Sequence, residues 1–184
     1  MSANRRSSLL AVIAMFLAPP VAYSDDPLDP DFNPNVVAFA RSKVGEKVGN
    51  GVCSTFIQEA LKEAGAKVLR SPAADGEYLW GEPVKSVKEA KPGDIVQFEK
   101  VVFKGRRRII GDNGQPAMLN TRLSFPHHSA IVSAVGAKGK TVTILHQNAA
   151  GPDGQPLKIV QESTLVMAEL QKGGSFKIYR PVAP

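Results

Sequence analysis

The sequence predicts an α+β domain, on three observations. Two helices come first, one marked by its capping signals and one by a one-sided apolar stripe, period-two alternation takes over after residue 94, and no internal repeat or low-complexity segment interrupts the order.

Ahead of the domain, Arg5 and Arg6, an apolar run from Leu9 to Leu17, the Pro19-Pro20 break and Ala22-Tyr23-Ser24 read as a cleavable export signal over residues 1–24. The apolar run is shorter than the roughly 20 residues that cross a bilayer, so no stable span is expected after cleavage; a retained anchor is the alternative. Localisation is then secreted or periplasmic. Residues 25–33 form an acidic, proline-rich linker and residues 34–184 one domain, expected as a monomer. Losing Arg5 and Arg6 lowers the formal charge from +6 to +4, because residues 1–24 hold no acid. Such a balance outside the cytoplasm suits anionic glycans or lipid surfaces. The only dense basic run, Lys104 to Arg108, reads as a solvated loop or edge strand, and no nucleic-acid partner is expected.

Within the domain, Asn33 as N-cap, Pro34 at the first helical position and a Phe32–Val37 staple open a helix that ends near Gly45. A loop from Gly45 to Gly51 feeds a second helix, from Cys53 or Ser54 to Gly65, with Phe56, Ile57, Ala60, Leu61 and Ala64 as its apolar stripe. Residues 67–94 are irregular, with Tyr78, Leu79 and Trp80 as anchors. The turn Lys91-Pro92-Gly93-Asp94 launches a strand from Ile95 to Phe103, and residues 104–126 read as an insertion. A hairpin follows, His128–Val135 and Thr141–His146 around a turn at residues 136–140. Residues 148–156 are polar, a strand or short helix runs through Leu170, and a last strand covers Ser175 to Val182.

Cys53 is the only cysteine, so it is an inert buried thiol, an intermolecular link, a metal ligand or a nucleophile. Its place at a helix start, on the core-facing stripe, supplies a reason for the thiol to ionise below its usual range near 8.5. Alternation puts His128, Ala130 and Val132 on one face of the hairpin, taken as inward, with His127, Ser129 and Ser133 on the other. With the turn centred on Ala137, His128 and His146 lie directly opposite, about 4.5–5.5 Å apart at Cα. A Cys53–His128–His146 site follows. The thiolate attacks a carbonyl carbon, His128 protonates the leaving amine, and His146 or Asn148 orients His128. The Cys53 main-chain N–H is a candidate oxyanion donor. No close ligand pair supports zinc, and no metal or other cofactor is expected.

Four segments in this order resemble the NlpC/P60 and CHAP superfamily of papain-like cysteine hydrolases: Gly49-Asn50-Gly51-Val52-Cys53, Lys91 to Phe98, His128-Ser129-Ala130-Ile131-Val132, and Thr143 to Asn148. The resemblance spans roughly residues 35–182. It implies N-terminal helices packed on a small antiparallel sheet, Cys53 as nucleophile, His128 as base and His146 as the third polar group. Asn50 stands where an oxyanion partner is sought, with Asn148 and Trp80 beside it as substrate contacts. Val52 departs from the Asp or Gln usual before the cysteine, and Ser54-Thr55-Phe56 from the usual pattern after it. The activity implied is hydrolysis of amide bonds in peptidoglycan peptides or another extracellular amide. A non-catalytic binding or structural domain on the same fold, and a thiol transferase or lipid-modifying enzyme, are the rival readings.

Overall fold

A computed structural model describes residues 31–68, 79–111, 114–151 and 154–184. The expected signal, most of the expected linker and Tyr78 lie outside the described residues. Two helices, α1 (Asn33–Ser42) and α2 (Cys53–Glu63), precede eight strands. The strands are β1 (Glu82–Val84), β2 (Ile95–Ile110), β3 (Pro116–Val135), β4 (Thr141–His146), β5 (Ala149–Ala150), β6 (Pro156–Leu157), β7 (Gln161–Val166) and β8 (Ser175–Arg180). Six of them make one antiparallel sheet in the order β1-β8-β2-β3-β4-β7, and β5 pairs with β6 apart from it.

α1 starts one residue earlier than its capping signals suggest. Phe32 is the N-cap, and the Asp31 carboxylate accepts the Asn33 N–H at 3.1 Å. Asn33 turns its side chain into the protein, donating to Pro92 O at 2.9 Å and Asp94 Oδ1 at 2.8 Å. Val36, rather than Val37, is fully buried, and Phe32 is largely so. The Lys91–Asp94 turn can lie this close to α1 only because residue 93 is glycine. Gly93 has φ +91°, and any Cβ there would overlap the Asn33 main chain. α2 follows its sequence pattern closely: Phe56, Ile57, Ala60 and Leu61 are fully buried, and Gly65 leaves the helix at φ +74°. Each of the larger three contributes about 1.5–3 kcal/mol by burial.

Residues 104–126 are not a loop insertion. β2 and β3 stay paired from Ile95↔Ile131 out to Ile110↔Pro116, so this stretch is the far half of one long hairpin. Turn residues at its tip signal a loop, while the strands leading to it carry too few core-facing residues for alternation to be read.

Both faces of the sheet are buried, each in its own apolar cluster. Ile95, Ile131, Leu145 and Tyr179 pack against Val36, Ala40, Phe56, Ile57 and Leu61 of the two helices. Val96, Phe98, Ala130, Val132, Val142, Ile144 and Leu165 fill the second cluster on the other side. Ser129 and Ser133 therefore lie on the helix side, buried, because their hydroxyls donate to Gln97 Oε1 at 2.7 Å and Glu162 Oε1 at 2.8 Å. The face taken as outward from its serines is the helix-packed face, and His128 shares the opposite face with Ala130 and Val132. Parity switches at Lys100 (φ +52°): Val96 and Phe98 before it, and Val101 and Phe103 after it, all join the second cluster.

Candidate active site

Cys53 opens α2. The N-cap Val52 is extended, no side chain caps the helix and its first turn carries no acid, so the first N–H groups are left to whatever lies at the helix start. The thiol, 8 % exposed, lies at that helix start, where the main chain at Cys53, at Ser54 and at Ser129 on β3 favours its ionised form. Sheet geometry explains the last. Val132 donates to Asp94 O and accepts from Gly93, so even-numbered residues of β3 bond toward β2 and odd-numbered ones toward β4. Pairing between β3 and β4 begins only at Ile131, so the Ser129 main chain lies outside that ladder.

His128 is the residue before Ser129. Its ring, 4 % exposed, stacks on Phe125 at 5.2 Å and Phe98 at 6.2 Å between centroids. Its Nε2 meets His146 Nδ1 at 3.0 Å with the rings nearly perpendicular, and His146 Nε2 meets Ser163 Oγ on β7 at 2.9 Å. The histidines are not directly opposite, as a turn centred on Ala137 would have them. Ile131 pairs with Leu145 and Val132 with Ile144, and a bulge at Ser133 shifts the pairs nearer the turn. His146 thus sits diagonal to His128. A register change of two residues keeps both rings on one face, and diagonal neighbours remain within reach of rings.

Proton positions along this chain are linked. If Ser163 accepts from His146 Nε2–H, then His146 Nδ1 accepts from His128 Nε2–H, and His128 Nδ1 is left with its lone pair as a base. If Ser163 donates, every proton moves one place and His128 Nδ1 carries a hydrogen. Ser163 thereby selects the tautomer of a ring it does not touch.

The electrostatics favour neutral groups throughout. Burial pushes the Cys53 thiol up, against the three N–H groups that pull it down, so the ionised thiol expected from the helix start is not the resting form. Burial, reinforced by His146 and then His127, lowers His128 to about 3, and burial lowers His146 to about 4.

Gln147, whose role cannot be read from its place after the hairpin, is fully buried. It accepts the Val48 N–H at 3.1 Å and donates to Val48 O at 3.0 Å and Val52 O at 2.8 Å. It thereby fastens the loop leading into Cys53 to the end of the strand that carries His146. Asn50 is exposed and closes a local turn, its Oδ1 accepting the Val52 N–H at 3.0 Å. Asn148 has φ +65° and donates its N–H to Leu157 O at 2.7 Å, starting the β5–β6 turn; His146 is the residue that meets the His128 ring. Trp80 is 1 % exposed in the helix-side cluster, its indole donating to Gln97 Oε1 at 3.0 Å, so it belongs to the scaffold rather than to an open substrate wall. His127 is exposed, as alternation predicts. Among the described residues no group of three or more His, Cys, Asp and Glu side chains is arranged to hold a metal.

Cys53 thus opens a helix, and the neighbouring strands β3 and β4 carry the His128–His146 pair. The family model described as the AIM3/BBC1 cysteine proteinase-fold domain matches residues 18–184. The chain belongs to the AIM3/BBC1 family. No curated protein and no solved structure matches it. The AIM3/BBC1 match carries a papain-like cysteine proteinase fold, here mostly antiparallel sheet with two helices; it does not carry the narrower NlpC/P60 or CHAP resemblance.

Proposed function

We propose that this chain is an exported thiol hydrolase of amide bonds, with Cys53 as nucleophile, His128 as base and His146 as the residue that orients it. One observation carries the reading: Cys53 opens α2, its thiol is influenced by the main chain of Ser129, and the preceding residue, His128, heads a His128–His146–Ser163 hydrogen-bonded chain. In the reaction the sulfur–carbon bond forms at the carbonyl as His128 Nδ1 takes the thiol proton. That proton passes to the leaving nitrogen as the carbon–nitrogen bond breaks, and water then hydrolyses the thioester. The Cys53 N–H serves the oxyanion. Proton transfer in concert with attack suits a site whose thiol and imidazoles rest neutral. The resemblance to NlpC/P60 and CHAP enzymes supplies the substrate class, peptides of the cell wall, and the signal-like residues 1–24 supply the compartment, periplasm or medium.

A second reading, a non-catalytic extracellular binding domain on the same fold, is favoured by the same burial. With the thiol pushed up and the His128 imidazole lowered to about 3, proton transfer between them is uphill until a ligand changes the surroundings.

The decisive experiment incubates the mature protein with wall peptides and a panel of simple amides and measures released amine. Hydrolysis by wild type, abolished by Cys53→Ala and His128→Ala but retained by His127→Ala, supports the enzyme. Wild type and Cys53→Ala behaving alike across the panel establishes the binding domain. Iodoacetamide labelling of Cys53 is expected to rise with pH beyond the ordinary thiol range, following the raised thiol.

A further inference from the structure

The far half of the β2–β3 hairpin takes no part in the site. From Lys104 to Ile110 and from Pro116 to Ser124 the two strands pair only with each other, as a ribbon standing off the sheet. Its register sorts the side chains. Lys104 faces Arg122, Arg106 faces Asn120 and Arg108 faces Met118 on one side of the ribbon; Arg107 and Leu119 face each other on the other. Arg107 is held by both oxygens of Glu169, with Nη2 3.0 Å from Oε2. The other four cations have no acid paired to them among the described residues, and the sequence from 104 to 124 holds a single acid, Asp112, against five cations.

Level with the outer cations and just beyond them, the ribbon is apolar and open. Ile110 is 68 % exposed, Met118 52 %, Leu119 49 % and Ile109 39 %. Four aliphatic side chains in water at the end of a projecting ribbon are a cost with no folded-state return. With cations level with them and behind them, they suit the boundary of a bilayer surface, where acyl chains meet charged headgroups.

We propose that this ribbon docks the protein peripherally on anionic lipid, its tip aliphatics entering the headgroup–acyl boundary while Lys104, Arg106, Arg108 and Arg122 contact lipid phosphates and carboxylates. Long cationic side chains reach back to the headgroups from this depth. The ribbon's outer edges carry main-chain N–H and C=O groups without ladder partners, which stops deeper insertion. Nucleic acid fits less well: the ribbon beyond Phe103 has no aromatic ring among its described residues to stack on bases, and a phosphate backbone would leave the aliphatics in water.

The test uses the whole mature chain in sedimentation with phosphatidylcholine vesicles, pure or containing about a quarter phosphatidylserine. Binding is expected only to the anionic vesicles and is lost in high salt. Arg106→Gln with Arg108→Gln is expected to weaken it about twenty-five-fold, at roughly fivefold per cation. Ile109→Ser with Ile110→Ser weakens it without changing its salt dependence. An Ile110→Trp variant reads insertion directly, by quenching from brominated acyl chains, and its exposed position leaves the fold intact. Unchanged emission of buried Trp80 in the other variants certifies their folding. Equal binding to pure phosphatidylcholine, no quenching of Ile110→Trp, or binding to duplex DNA in the absence of vesicle binding would each overturn the proposal.

Discussion

Replacing Gln147 by alanine tests whether this buried amide holds Cys53 in place. Its three hydrogen bonds, at 2.8–3.1 Å, all go to main-chain atoms of Val48 and Val52 in the loop before α2. Alanine leaves the Val48 N–H without its acceptor in a residue that is 7 % exposed, and strips two carbonyls of a donor. An orphaned buried donor costs about 1–3 kcal/mol, so a total of about 2–4 kcal/mol is expected. That loss falls on the closed form of the loop. Local opening of this segment, and with it alkylation of the buried thiol, becomes easier by about 2 kcal/mol, or roughly thirtyfold in rate. Urea unfolding measures the first quantity, and iodoacetamide labelling at fixed pH the second. Gln147→Glu is expected to be worse than alanine, because a carboxylate oxygen replaces the donor that faces two carbonyls. A Gln147→Ala protein with an unchanged urea midpoint and wild-type labelling rate would refute the idea that Gln147 positions the cysteine.

The buried histidines make stability depend on pH. Both have folded-state values below that of a free histidine, about 3 for His128 and about 4 for His146, so the unfolded chain binds more protons as pH falls. Their contribution is intact above about 6.5 and is lost as pH drops from there toward 4 and 3, at up to about 2.7 kcal/mol per unit while both titrate. Urea midpoints between pH 7 and pH 5 are expected to fall for wild type and to fall less for His146→Gln; identical slopes would contradict the assignment. Asp94 is fully buried and accepts from Asn33 Nδ2, the Lys91 N–H, and Nε and Nη2 of Arg180, all within 2.8–3.0 Å. Asp94→Ala should cost about 3 kcal/mol and lower Tm by roughly 10 °C, since it orphans donors on three elements. A Tm within about 2 °C of wild type would show that the cluster is dispensable.

The amino-acid sequence by itself determined a good deal of this protein. α2 and its buried stripe are written in residues three and four apart, and so is the position of Cys53 at the helix start. The hairpin was legible because Val132, Val142 and Ile144 alternate, and parity alone separated buried His128 from exposed His127. Tertiary structure decided what alternation has no means of expressing. A sheet buried on both faces hides serines as well as valines, provided a Gln97 or Glu162 from a neighbouring strand takes their hydroxyls, so polar alternation assigned the wrong face to the helices. The pairing beyond the bulge at Ser133 lies two residues from the one a turn centred on Ala137 implies, an even step that made His128 and His146 diagonal without parting their rings. Ser163 and Gln147 carry no local signal, because their partners lie 17 to 99 residues away and meet them only once the strands and helices have packed. Burial did the same to the thiol. A helix start lowers a cysteine in any sequence, but only the packed fold shows how much water is excluded, and here exclusion wins.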